Sequence, residues 1–333
     1  MTRWPPARWL LIAALAALML GAAVASLLFG SVDLSLARLM SAATGHGDRV
    51  AAIILFELRL PRTLLALVVG AMLGLSGAAL QGYLRNPLAE PSVLGISNTA
   101  ALGAVAAIYF GIANLHPAML PLLSVAGAML ALTLLFALAG RSESPLTLIL
   151  AGIAVGTLAV AGVSLSLNLS PNPFAAMEIM TWLLGSLENR SFQHVWIALP
   201  CIALGAGMLL WNGRALDALT LGEDAAQALG VELRRTRRRL LFGTAIGVGG
   251  AVAVSGAIGF IGLIVPHLIR PLTDRSPSAI LLPSAIGGAA LLTLADLGVR
   301  IIPTTSELKL GVVTAFLGVP VFLVHLMREK RLW

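Results

Sequence analysis

Nine apolar runs, each about 20 residues and so about the length of a bilayer-crossing helix, leave this 333-residue chain little choice of fold. They fall at residues 9–29, 62–82, 92–113, 117–139, 145–167, 194–211, 240–262, 279–299 and 311–327. Only 11% of residues are charged and 58% are hydrophobic, whereas a soluble domain carries charge on about a quarter of its residues. The expected fold class is an all-α polytopic membrane protein, with residues 1–333 forming one transmembrane domain. The first run follows Arg3 and Arg8 and is longer than the core of a cleaved signal, so a retained anchor is expected.

Charge placement then constrains the topology. Basic clusters lie at the N-terminus, at Arg234-Arg235-Thr236-Arg237-Arg238-Arg239, and at Arg328, Lys330 and Arg331. Cytoplasmic loops carry an excess of Arg and Lys, so placing all three inside requires an even number of crossings between each pair. Six runs separate the first two clusters and three separate the second from the third. A tenth crossing is therefore expected inside Ile258–Thr273, where Pro266, His267 and Arg270 depress hydropathy. Irregular backbone at that depth is tolerable only inside protein or along a cavity. Both termini are then cytoplasmic; nine crossings with the C-terminus outside is the alternative. Ser76-Gly77-Ala78 precedes Pro87 by the spacing at which Ser255-Gly256-Ala257 precedes Pro266, which points to an inverted repeat, a common transporter plan.

Between Arg59 and Ala104 the chain opens on two arginines, continues as a Gly/Ala/Ser-rich helix, and breaks at Arg85-Asn86-Pro87. Small side chains let membrane helices approach closely where lipid supplies no hydrophobic drive. The lone Cys201 excludes an internal disulfide. The net charge of +7 fits basic cytoplasmic loops rather than a nucleic-acid partner. Neither of the two lysines, Lys309 and Lys330, follows a phosphate-binding glycine loop. No zinc-protease helix motif or nucleophile elbow occurs, so no catalytic residue, metal ligand or bound cofactor is expected in this chain.

The longest polar stretch runs from Trp211 to Arg239. Gly222 and Gly230 punctuate it into two short helices. Leu216, Leu219, Ala225, Ala228 and Leu229 recur at helical spacing, while Glu223, Asp224 and Gln227 point elsewhere. Such a small apolar face suits the groove of a partner protein. An interfacial helix lying on lipid is the other reading, opposed by the acidic centre and the lack of aromatic residues.

Several motifs stand in a specific order. They are Arg59-Leu60-Pro61-Arg62, Ser76-Gly77, Gln81, Asn86-Pro87-Leu88-Ala89-Glu90-Pro91, Leu94-Gly95, Leu150-Ala151-Gly152 and Trp182-Leu183-Leu184-Gly185-Ser186. Leu221-Gly222, Leu229-Gly230-Val231, the run from Ser255 to Leu263, Pro266-His267, Arg270, Ala295-Asp296, Arg300, Glu307 and Gly311-Val312-Val313-Thr314-Ala315 follow. Over nearly its whole length the sequence resembles FecCD-type permeases, the membrane subunits of ATP-binding cassette importers for iron chelates, haem and cobalamin.

The resemblance implies about ten spans in an inverted-repeat, type II importer architecture in the bacterial inner membrane. It implies a second copy of the chain, two ATPase subunits carrying ATP and Mg, and a periplasmic substrate-binding protein, with no nucleic acid. It assigns ATPase coupling to Leu219, Leu221, Gly222, Ala225, Ala228, Leu229 and Gly230. Binding-protein docking falls to Arg59, Arg62 and Arg300, and a cytoplasmic gate to Asn86 and Leu88 with Ser142 and Ser144. His267, Arg270, Asp296 and Glu307 are polar groups of the pathway or of the structure. Where the family often has a proline after Glu-Leu, this chain has Lys309, which adds positive charge at the expected outer mouth. That charge, with the look of Met180–Ser191, puts haem first among cargoes. An ion-coupled secondary transporter is the alternative; it accounts for Asp296 and the repeat but not for the polar loop.

Overall fold

The computed structural model describes residues 6–30, 32, 35–44, 49–139, 144–304 and 306–329, and these are all-helical apart from turns and short coils. The helices are α1 (Pro6–Leu28), α2 (Leu36–Ala43), α3 (Arg49–Ile53), α4 (Leu60–Leu84), α5 (Ile96–Tyr109), α6 (Met119–Ala139) and α7 (Pro145–Asn168). They continue as α8 (Pro173–Leu183), α9 (Phe192–Leu210), α10 (Gly213–Leu219), α11 (Glu223–Ala228), α12 (Leu233–Ser255), α13 (Ile261–Ile269), α14 (Pro277–Ile301) and α15 (Leu310–Glu329). A wide π-type turn, Ile54–Arg59, joins α3 to α4.

Six helical stretches are long and apolar enough to cross a membrane: α1, the continuous α3–α4 stretch, α6, α7, α9 and α14. Three shorter apolar helices accompany them, Ile96–Tyr109, Ile261–Leu272 and Leu310–Leu323. Of the six, the α3–α4 stretch is the most enveloped by protein and α1 the least. Each apolar run of the sequence forms a helix, and the segment expected to hide a further crossing forms α13 with a 3-10 extension, Arg270–Leu272. Length and composition alone thus qualify six crossings among the described residues.

Small residues explain how the central helices pack. On α4, a Cβ at Gly70 would lie 2.3 Å from the Gly288 carbonyl oxygen, and one at Gly74 would lie 2.2 Å from that of Ser284. This Gly-x-x-x-Gly ridge lets α4 and α14 run antiparallel with their backbones nearly in contact, the arrangement dispersion forces favour in lipid. The α5–α6 pair repeats it, with Gly103 against the Leu123 carbonyl and Gly127 against that of Thr99. In the α9–α12 pair, Gly205 faces Gly243 and Gly247.

The equal spacing of the two Ser-Gly-Ala motifs does not survive as a local structural repeat. Gly77 lies inside α4 against Gly262. Gly256 instead ends α12 at φ +69, where a side chain would collide with the Trp182 carbonyl. The coil that follows is tied to its surroundings: Ser186 N–H donates to the Ser255 carbonyl at 2.8 Å, and Gly256 N–H to that of Val252 at 2.8 Å. Those bonds meet the backbone's needs where a helix is interrupted at depth.

Candidate functional site

At one end of the bundle, the C-terminal turns of α1 and α14 meet the N-terminus of α4. Arg62 Nε donates to both oxygens of Asp296, at 2.9 and 3.1 Å, and its Nη2 donates to Asp296 Oδ1 at 2.8 Å. Its Nη1 reaches Glu307 Oε2 at 3.0 Å, and Nη2 also contacts Glu307 Oε1. Arg300 Nε lies 3.2 Å from Asp296 Oδ2, one turn along α14. The other Arg300 nitrogens donate to Ser26, to its carbonyl at 3.1 Å and to its hydroxyl at 2.5 Å; that hydroxyl also bonds Thr63 at 2.7 Å. Arg59 donates to the carbonyls of Leu27, Leu28 and Val32, at 2.8, 2.7 and 2.5 Å. Asp296 is wholly buried, and one carboxylate shared by two arginines offsets much of the cost of taking these charges out of water.

The three arginines to which docking was assigned are thus tied into the chain. Arg59, Arg62 and Arg300 are all less than a tenth exposed and spend donors inside the chain. Their partners were invisible as such in the sequence because Asp296 and Glu307 lie 234 and 245 positions from Arg62. What remains open is a cavity of about 230 Å³ above the network, lined by Arg59, Arg62, Arg300, Glu307, Glu188 and Arg190 among others. Arg190 was not singled out from sequence; burial pushes its guanidinium below the usual arginine range, and its Nε has no hydrogen-bond partner among the described residues. Lys309, expected to add positive charge here, donates from Nζ to Glu188 at 2.9 Å, so its charge has a counter-charge within the chain.

The opposite end carries the arginine-rich start of α12 and the helix pair α10–α11. Leu216, Leu219 and Ala226 are buried and pin the pair to the bundle. Asp217 Oδ1 adds a bond from the Ser278 N–H, 2.8 Å, at the first turn of α14. Gly222, at φ +109, turns the chain between the two helices, and Gly230, at φ +84, ends the second. Leu221 and Leu229 are consequently about two-thirds exposed, Ala228 is exposed and Ala225 half-buried. Leu219 is thus an anchor rather than a contact surface. The break at Gly222 changes the helical register, so residues spaced as one face in sequence end on two.

Beside this pair, Asn86 Oδ1 accepts the Leu88 N–H at 2.9 Å in a tight turn after α4. Leu88 is exposed and the turn shares a cavity wall with Thr220, between α10 and α11. Ser144 caps α7 by accepting the Thr147 N–H at 3.2 Å, whereas Ser142 lies outside the described residues. Half-buried His267 lines a narrow cleft with Pro87, Leu88 and Phe322. Arg270 donates to Gln81 at 2.8 Å. His267 and Arg270 therefore belong to this end and Asp296 and Glu307 to the other. Among the described residues no group of His, Cys, Asp and Glu could hold a metal ion.

A family model, the FecCD transport family, matches residues 17–328. The chain belongs to the FecCD transport family. A relative from Bacillus subtilis, the uncharacterized ABC transporter permease protein YvrB, is 41% identical over 295 residues, covering 86% of this chain and 82% of its own. The vitamin B12 import system permease protein BtuC of Salmonella typhi is 39% identical over 308 residues, covering 89% and 93%. A solved chain described as an inward-facing conformation of a metal-chelate type ABC transporter superposes with a TM-score of 0.86 at 33% identity, covering 95% of this FecCD chain and 98% of that one.

Proposed function

We propose that this FecCD protein is the membrane permease of an ATP-binding cassette importer, non-catalytic itself, moving a metal chelate inward across the bacterial inner membrane. The observation that carries the reading is the α10–α11 pair: fixed from behind by Leu216, Leu219 and Ala226, it turns Leu221, Ala228 and Leu229 outward. A rigidly backed apolar knob is what a partner's groove needs if force is to pass through the contact. Placing the α12 arginines in the cytoplasm puts this knob on the side of the ATPase, which would supply ATP and Mg. The same orientation gives ten crossings, with α12, α13, α5 and α15 added to the six long apolar stretches, and both termini inside. A second copy completes the pathway, and the Asn86–Leu88 turn beside the knob is the gate that moves with it.

At the outer end, the binding protein meets a pocket rather than free arginines. Arg190, half-buried on the wall of that pocket, is the group there that an acidic side chain of the binding protein would engage. Such contacts set orientation and association rate more than affinity. For cargo, the names of the BtuC relatives and of the superposed transporter favour a metal chelate of the vitamin B12 type over haem. Haem, first from sequence, loses its residue argument because Lys309 is paired with Glu188. An ion-coupled transporter finds no support in Asp296, whose carboxylate is held between Arg62 and Arg300. The test is uptake into proteoliposomes with the cognate ATPase and binding protein, offered cobalamin or haem. ATP-dependent cobalamin uptake is expected; gradient-driven uptake without the ATPase would overturn the reading.

A further inference from the structure

One stripe of α9 faces away from the bundle. Trp196, Pro200, Ala203, Leu204, Gly207 and Trp211 recur at helical spacing and are all exposed. On the other side Val195, Ala198, Ile202, Gly205 and Leu209 are buried, with Gly205 closing on Gly243 and Gly247 of α12. Because α9 is one of the six stretches able to cross a membrane, the solvent of its outer stripe is hydrocarbon. Trp211, just past the helix end, stands where the chain leaves the apolar layer and where indole rings are enriched.

At the Trp211 end the stripe opens into a groove of about 410 Å³, lined by Ala203, Leu204, Gly207, Met208, Trp211 and Arg239. A Cβ at Gly207 would meet nothing within 4 Å, so the floor there is bare backbone between larger side chains. The lining is apolar except where Arg239 reaches over from α12. Its guanidinium carbon lies 5.8 Å from the centre of the Trp211 ring, a cation–π distance that holds the half-buried side chain at the groove's mouth. A guanidinium stacked by its face still presents an N–H edge that matches a phosphate. Arg234 and Arg238, exposed on the same turns of α12, raise the positive potential at that level. A trough apolar along its length and cationic at one end fits a phospholipid, which brings an acyl chain for the first and a phosphate for the second. A free anion would leave the apolar length unfilled, and a hydrocarbon tail alone would leave Arg239 facing lipid.

We infer that this groove binds an anionic phospholipid of the leaflet on the arginine-rich side, its phosphate at Arg239 and an acyl chain over Gly207. The lipid spans α9 and α12, the two helices that flank the α10–α11 pair. The inference requires neither an ATPase nor a particular cargo.

The experiment uses the full-length chain in detergent, with phosphatidylglycerol and phosphatidylcholine of identical acyl chains as probes. Native mass spectrometry reads retained lipid and the unfolding midpoint reads its effect. The native chain should retain phosphatidylglycerol over phosphatidylcholine and unfold at a higher temperature with it. In Arg239→Gln phosphatidylglycerol binding should fall about fivefold and phosphatidylcholine binding by less, so the preference shrinks. Gly207→Leu, whose added side chain enters open space and leaves the fold intact, should fill the trough and weaken both lipids alike. Arg275→Gln, an exposed arginine of the same end that does not line the groove, should behave as the native chain. Equal retention of both lipids by the native chain overturns the inference. So does an equal loss of preference in Arg275→Gln and Arg239→Gln, because general positive charge and not the groove would then attract the lipid. Normal lipid binding by Gly207→Leu overturns it as well. A Gly207→Leu chain altered only in oligomeric state does the same, because the groove would then be a contact between copies.

Discussion

Where α1, α4 and α14 converge, Arg62, Arg300, Asp296 and Glu307 close on one another; at the other end Arg85, Arg270 and Arg275 line a cavity in which the described lining residues include no carboxylate. The same residue type thus performs two tasks in one bundle. At the first end arginine is structural, because its counter-charges come from the chain itself. At the second it lines an open cavity, and exposed leucines nearby, Leu221 and Leu229, lack apolar cover. One end is complete in itself and the other is built to be completed. If that contrast is right, substitutions at the first end should appear as lost stability, and substitutions at the second as lost association in a chain that still folds.

The largest effect is expected at Asp296. Asp296→Ala leaves Arg62 and Arg300 buried without their shared carboxylate, and removing one partner of a buried ion pair costs about 3–5 kcal/mol. The measurement is the unfolding midpoint and monodisperse yield in detergent, with Asp296→Asn as the shape-preserving control and expected between the two. A midpoint unchanged in Asp296→Ala would mean that the network is not structural, and the contrast between the ends would fail. Glu307→Gln is milder. Glu307 is partly exposed, Arg62 keeps Asp296, and a glutamine oxygen still accepts, so a loss of about 1 kcal/mol is expected in the same assay.

The sequence and the structure agree where the physics is local and diverge where it is not. Every apolar run became a helix because about 20 residues without charge have few other options in lipid. Gly222 and Gly230 marked the ends of short helices because positive φ is a property of one residue. Small residues at Gly70 and Gly74 announced close packing, although not that α14 was the partner. The ion pairs of the arginine network went unread because pairing across 234 residues leaves no spacing to detect. Leu219 was placed on the contact face because its periodicity ran through a turn that breaks it. Short elements such as α8, between two long helices, gave no periodic signal long enough to read.

A further step down in stability comes with Lys309→Gln. The Lys309–Glu188 pair is partly solvated on both sides, so its loss should cost no more than about 1 kcal/mol. Its value lies in the cargo question. If the pairing neutralises Lys309, the substitution leaves transport of either chelate unchanged. A selective loss of haem uptake would instead restore the lysine as a recognition group and weaken the assignment of that end as self-contained.

The smallest effect on stability, and the largest on function, is expected from Leu221→Asp combined with Leu229→Asp. Both side chains are about two-thirds exposed, and substitutions at such positions change stability by no more than about 0.5 kcal/mol each. The anchors Leu216, Leu219 and Ala226 remain buried, so α10 and α11 stay in place. Co-purification with the ATPase should nevertheless be lost, because a charge set into a groove built for leucine is desolvated without a partner. The control is Leu219→Asp, which buries the charge in the bundle and should unfold the pair along with any association. Retained ATPase association in the exposed double variant would show that the contact lies elsewhere on this end. A fall in its unfolding midpoint as large as that of Leu219→Asp would show that Leu221 and Leu229 belong to the core, and that this end of the bundle is as self-contained as the other.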